Sequence, residues 1–202
     1  LSSLVRGVGP NPEVRSLLMD RDGTLWVGTE GGLSRVQQQT FQTVGRLTTG
    51  SVESLASDTN GTLLIGTTFG GLSAWREGMT NSLMLSGGSI TAVQITRDDT
   101  AWFAIRTSQD DSWPELWRRP SGGGSERVAS GTNVQHRVQA IYEDRTGRLW
   151  FGTGGGLVSL YSNEWRRFTT RDGLTGNGIT ALAEDASGHL WIGTERSGIN
   201  RW

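Results

Sequence analysis

Cysteine is absent from this 202-residue sequence. That one absence excludes disulfides, thiolate zinc sites and cysteine nucleophiles together, and it fits any compartment. Histidine is scarce as well: His136 and His189 are the only two, and they do not stand at a metal-ligand spacing. No Ser-His-Asp order and no phosphate-binding loop is present, so enzyme signatures are poor. No apolar run approaches the roughly 20 residues that a membrane helix requires. No signal peptide is visible, although the chain starts abruptly, as an excised piece would. The formal net charge is -1, which leaves no electrostatic case for nucleic acid or an anionic membrane as partner. The expectation is a chain with no catalytic residues, no cofactor and no metal.

What is plentiful is glycine, 30 residues, and tryptophan, 9. Many glycines with periodic aromatics suggest short strands joined by tight turns, the mark of a repeated all-β fold. The repeat is explicit. Asp20-Arg21-Asp22-Gly23-Thr24-Leu25-Trp26-Val27-Gly28-Thr29 returns as Asp58-Thr59-Asn60-Gly61-Thr62-Leu63-Leu64-Ile65-Gly66-Thr67. It returns again at 144–153 and 185–194, and in worn form around Trp102. A Gly-Leu or Gly-Ile follows each good copy. Aligned on the apolar residue that opens each first strand, the copies begin at Val14, Val52, Ile90, Val138 and Ile179. A period of about 40 residues leaves room for four strands and short turns, as in a propeller blade. The reading is therefore one all-β domain over residues 1–202, a β-propeller of five four-stranded blades.

The first turn of each copy has a physical grammar. Asp20 can accept hydrogen bonds from the turn's backbone amides, and Gly23 supplies a positive φ. Asp58 with Gly61, Asp144 with Gly147 and Asp185 with Gly188 repeat the pair. A calcium loop is not implied, because Asp22 has no counterpart in the other copies and no further acid follows at the required spacing. Trp26, Trp102, Trp150 and Trp191 are expected to fill the wedge between neighbouring sheets, with Leu64 in the second copy. The third copy reads Thr96-Arg97-Asp98-Asp99 and so loses both the leading Asp and the Gly. It also carries an insertion at 106–115. The last copy stops at Trp202 without a fourth strand. Leu1-Ser2-Ser3-Leu4-Val5 lies where a fourth strand should precede Val14, so the N-terminal strand is expected to close the last blade and protect its edge. A cut from a longer array is the alternative.

The pattern Val-x-Ser/Ala-Leu-x-x-Asp-x-x-Gly-x-Leu-Trp-x-Gly-Thr-x-x-Gly-Leu resembles the two-component regulator propeller repeat. The spacer Phe168-Thr169-Thr170-Arg171-Asp172-Gly173-Leu174 before Ile179 resembles that family's spacer too. The resemblance covers nearly the whole chain and implies a β-propeller in the extracytoplasmic sensor region of a bacterial receptor. It implies a periplasmic or extracellular location, a small-molecule or glycan ligand, and signalling domains elsewhere in a longer parent chain. Family sensors usually carry more repeats than this.

Within one chain the copies can be compared with each other. The second residue of each first strand varies while staying polar: Arg15, Glu53, Thr91, Gln139 and Thr180. These should surround one mouth of the central channel, on the face that also carries the turns after the second strands. Phe69, Arg106 and Arg196 belong to those turns, and so do Asp110, Asp111 and Trp113 of the insertion. Trp113 can stack a sugar while the acids accept its hydroxyl hydrogens. The candidate ligand-binding set is Arg15, Glu53, Gln139, Phe69, Arg106, Asp110, Asp111, Trp113 and Arg196. A solvated rim without ligand is the competing reading of the polar positions, and packing on the third blade that of Trp113. Three functions stay open: a non-catalytic ligand-binding sensor, a protein-interaction or scaffold propeller, and a carbohydrate-active enzyme.

Overall fold

The computed structural model describes residues 13–37, 40–44, 50–77, 79–84, 88–106, 115–128 and 134–202. The fold is of the all-β propeller class. The strands fall into five antiparallel sheets, and within each the spatial order follows the chain. The first holds β1 (Val14–Met19), β2 (Leu25–Thr29), β3 (Gly32–Gln37) and β4 (Thr40–Thr43). The second holds β5 (Val52–Ser57), β6 (Leu63–Thr67), β7 (Gly71–Arg76) and β8 (Met79–Met84). The third comprises β9 (Ser89–Ile95), β10 (Ala101–Arg106), β11 (Glu115–Arg119) and the short β12 (Glu126–Arg127). The fourth comprises β13 (Val138–Glu143), β14 (Leu149–Thr153), β15 (Gly156–Tyr161) and β16 (Glu164–Phe168). The fifth has three described strands, β17 (Ile179–Glu184), β18 (Leu190–Thr194) and β19 (Ile199–Arg201). The closing strand expected from residues 1–5 lies outside the described residues. The chain divides into two compact units, 1–95 and 96–202.

The turn after each first strand forms as its sequence demands. The amide of Gly23 donates to the carbonyl of Asp20 at 3.1 Å, and Gly23 has φ +78. Oδ1 of Asp20 accepts from the amides of Asp22 and Thr24 at 3.0 and 2.8 Å. The same pair of amide bonds recurs on Asp58, Asp144 and Asp185. The worn third copy keeps this geometry by other means. Asp99 occupies the glycine position at φ +57, and its amide donates to the carbonyl of Thr96 at 2.9 Å. Asp98 then takes the acceptor role, receiving the hydroxyl of Thr96 at 2.5 Å and the amide of Thr100 at 3.1 Å. A non-glycine residue tolerates this left-handed conformation best when it is Asp or Asn.

Packing between sheets rests on one recurring contact within each unit. The Gly of three Gly-Thr pairs lies directly under the apolar β-branched residue near the start of the next first strand. A Cβ on Gly28 would stand 2.6 Å from Cγ1 of Val52, and one on Gly66 would stand 2.6 Å from Cγ2 of Ile90. In the second unit a Cβ on Gly152 would stand 2.8 Å from Cγ2 of Ile179. The β-branched residue thus fills the space that a missing side chain leaves. Trp26, Leu33, Val52, Leu63 and Ile65 form one core cluster, and Trp150, Leu157, Phe168, Ile179, Leu190 and Ile192 another.

The tryptophan wedge holds for three copies: Trp26, Trp102 and Trp150 are buried. It fails for Trp191, which is 41% exposed. No described sheet of its unit covers that face, and Ile199 beside it is exposed as well. The first sheet mirrors this. Val14 is 49% exposed where Val52 is 1%, because no described sheet of its unit packs on it.

Candidate functional site

The polar position singled out in the first strands has a structural cause. In the first sheet Val14 pairs with Thr29 and Ser16 with Gly28, so Arg15 is an extra residue in the ladder. Glu53 is the extra residue between Val52 and Ser54, Gln139 between Val138 and Ala140, and Thr180 between Ile179 and Ala181. Each sits in a β-bulge. A bulged residue is left out of the pairing and its side chain is re-aimed, and bulges concentrate next to functional sites. The frame therefore fixes the bulge but not the side chain that it presents.

In the first unit this places three of the candidates together. The guanidinium of Arg15 contacts the carboxylate of Glu30, and it lies 3.4 Å from that of Glu13. Hydrogen bonding to Glu30 pushes the Arg15 guanidinium further up from its ordinary value, against the opposing pull of desolvation; the charges of Glu13 and Glu53 add to the rise. Oε1 of Glu53 accepts the hydroxyl of Thr68 at 2.9 Å. Phe69 follows immediately. Its φ is +66, and its side chain is 65% exposed. An aromatic residue held in the left-handed region is a genuine outlier, and such conformations collect at ligand-contacting positions. Thr68 escaped the sequence reading because the Gly-Thr-Thr run looks like turn filler. Only the fold brings its hydroxyl to a carboxylate 15 residues away.

In the second unit the candidates are less gathered. Gln139 and Arg106 are half-buried, the former at its bulge and the latter at the end of β10. Arg196 is exposed and stands 3.7 Å from the carboxylate of Glu195. His136 lies against Gly155, whose carbonyl accepts Nη2 of Arg167 at 2.6 Å. Asp110, Asp111 and Trp113 lie outside the described residues.

Metal chemistry finds no holder among the described residues: no group of three or more His, Asp or Glu side chains is arranged for it. The strongest sequence candidate shows why. Oδ1 of Asp20 is taken by two amides, and Oδ2 accepts the indole Nε1 of Trp26 at 2.8 Å. The Arg15–Glu53–Phe69 surface offers an exposed aromatic face, a cation and two carboxylates. That set can stack a ring and exchange hydrogen bonds with hydroxyls.

Comparison with known proteins follows the same line. The sequence model of the two component regulator propeller family matches residues 8–31, 134–155 and 173–196. No curated protein matches the sequence. Among solved structures, the extracellular domain of the proposed hybrid two component system BT3049 from B. thetaiotaomicron is 18% identical with a TM-score of 0.61, covering 96% of this chain and 34% of that one. PorZ, a surface component of the type-IX secretion system of Porphyromonas gingivalis, is 17% identical with a TM-score of 0.67, covering 94% and 32%. Virginiamycin B lyase of Staphylococcus aureus is 15% identical with a TM-score of 0.66, covering 96% and 71%. At these identities the likeness is one of fold. The chain spans about a third of the length of the two-component structures that it matches. No helix among the described residues is long and apolar enough to cross a membrane, which says nothing of β-barrels.

Proposed function

Because the chain carries the repeat of the two-component regulator propeller family, we propose that it is a non-catalytic, ligand-binding sensor propeller. The domain spans residues 1–202 and works outside the cytoplasm. The ligand is a small molecule of glycan type, and signalling domains of a longer parent chain receive the signal. The observation that carries the reading is the bulge surface of the first unit. Phe69 is held exposed in a left-handed conformation beside the Glu53–Thr68 bond. Strain of this kind costs on the order of 1–3 kcal/mol, and packing does not recover it here, because the side chain lies in solvent. Stacking of a sugar face on Phe69, with Glu53 and Arg15 bonding its hydroxyls, would use it. A glycan-fragment screen by thermal shift tests the proposal, since a ligand that binds only the folded state raises the melting temperature. At least one fragment should raise it. A screen in which none does would contradict the reading and favour a scaffold.

Catalysis is the second reading, because the virginiamycin B lyase likeness shows that an enzyme can share this architecture. The surface of the first unit speaks against it. Arg15 is paired with Glu30, and Glu53 already accepts a hydroxyl, so neither carboxylate stands as a poised acid beside a free base.

A further inference from the structure

Two junctions in the second unit are latched by arginine. Arg145 follows Asp144 in its turn and reaches the next sheet. Its amide donates to Oε2 of Glu184 at 2.9 Å, its Nε to Oε1 at 2.7 Å, and its Nη2 to the carbonyl of Asp185 at 2.7 Å. Arg97 stands at the equivalent position. Its amide donates to Oε2 of Glu143 at 2.8 Å, and its guanidinium bonds the carbonyls of Asp144 and Arg145 at 3.0 and 2.8 Å. In both cases a Glu ends the facing first strand, one residue before the next turn.

The first unit has the arginine without the glutamate. Arg21 occupies the same turn position, but the residue that ends β5 is Ser57. The Ser hydroxyl cannot replace the carboxylate, and the exposed Arg21 has no hydrogen-bond or ion-pair partner among the described residues. At this unlatched junction a cleft of about 520 Å³ opens between the turns 20–24 and 58–61. Arg21, Ser57, Asp58, Asn60 and Trp75 are among the residues that line it.

The cleft has a second irregularity. In the first, fourth and fifth copies Oδ2 of the turn Asp accepts an indole N–H, from Trp26, Trp150 and Trp191. The second copy has Leu64 at that position, so Asp58 receives no indole bond, although its Oδ1 is engaged by two amides as elsewhere. The half-buried indole of Trp75, packed edge-on against Trp26 at 5.0 Å, completes the wall. An unmatched guanidinium, a carboxylate oxygen lacking its usual donor and an indole therefore share one cavity.

We propose that this cleft is a binding site for a uronate, a pyranose ring carrying a carboxylate. The ligand carboxylate takes the place of the missing glutamate against Arg21, a geometry that arginine favours. The ring packs on Trp75, and ring hydroxyls donate to Asp58 and bond Asn60. The other acids of the lining are accounted for: Asp20 is bonded by its turn and by Trp26, and Glu77 stands 3.8 Å from Arg76. Asp22 remains beside Arg21 as an opposing charge.

The test is calorimetric titration of the whole chain with D-glucuronate, with D-glucose as the neutral control. D-Glucuronate should bind at least about tenfold more tightly than D-glucose, the scale of one charge-assisted hydrogen bond. Arg21→Ala should remove that preference without lowering the melting temperature, because Arg21 holds nothing in the free protein. Asp22→Asn should strengthen D-glucuronate binding. Ser57→Glu should abolish it while raising the melting temperature, since the chain then supplies its own latch. Absent binding, equal binding of the two sugars, or unchanged affinity in Arg21→Ala and Ser57→Glu would overturn the proposal. The preference is read on Arg21 and Ser57, neither of which belongs to the bulge surface, so this site and that one fail separately.

Discussion

The indole Nε1 of Trp150 donates to Oδ2 of Asp144 at 2.8 Å, while Oδ1 of the same carboxylate holds the turn amides of Thr146 and Arg148. One side chain thus ties the turn to the wedge. Trp26 with Asp20 and Trp191 with Asp185 repeat the tie. Trp150→Phe keeps the aromatic volume but removes the donor. It should cost about 1–3 kcal/mol, the range for leaving a part-buried acceptor unmatched. Trp150→Ala should cost more, about 3–5 kcal/mol, because a cavity is added to the lost bond. Urea denaturation of the two variants separates the contributions.

Acid should act through the same carboxylates. Desolvation, the largest single effect, pushes the Asp144 carboxyl up, yet hydrogen bonds from Thr146, Trp150 and Arg148 together hold it below its ordinary value. Asp98 is lowered chiefly by the Thr96 hydroxyl, and Asp185 chiefly by the amide of His189 and then the indole of Trp191. A carboxylate whose folded pKa is depressed contributes stability that is fully present above its unfolded value and is lost as pH falls through the folded one. The melting temperature should therefore hold to about pH 5 and fall steadily below about pH 4, the unfolded aspartate range. Asp144→Asn should lower the melting temperature at neutral pH and flatten the acid limb. A limb of unchanged slope would remove Asp144 from the account.

Gly152 tests the contact between sheets. A Cβ there would stand 2.8 Å from Cγ2 and 3.2 Å from the carbonyl oxygen of Ile179. Gly152→Ala should cost about 1–3 kcal/mol by overpacking. In an Ile179→Ala background, which lacks Cγ2, Gly152→Ala should cost less, and a double-mutant cycle reads that coupling directly. Additive losses would mean that the two residues do not share the space.

The fold was legible because its unit is short and repeated. The apolar start of each first strand, the Asp-Gly turn and the Gly-Thr of each second strand could be aligned within one chain, and each proved to hold the same place. The polar position at Arg15, Glu53 and Gln139 was legible as a variable one. Its cause, a bulge, was not, since register is a property of two paired strands. The Asp–Trp tie was half visible: the turn amides follow from local sequence, whereas the second oxygen reaches an indole six residues on. The arginine latch joins residues 39 to 48 apart and leaves no local trace. Trp191 was misread as a buried wedge because burial depends on the following sheet rather than on the repeat itself.

The most direct test of the sensor reading is the affinity of the first fragment that raises the melting temperature, measured by calorimetry on the wild type, Phe69→Ala and Glu53→Gln. The account predicts that Phe69→Ala weakens binding by about 1–3 kcal/mol, the scale of burying one apolar side chain, and that Glu53→Gln weakens it as well. Both variants should melt within a few degrees of the wild type, because the Phe69 side chain is exposed and Gln keeps an acceptor for the Thr68 hydroxyl. Wild-type affinity in both variants, with folding intact, would contradict the claim that the bulge surface of the first unit binds the ligand.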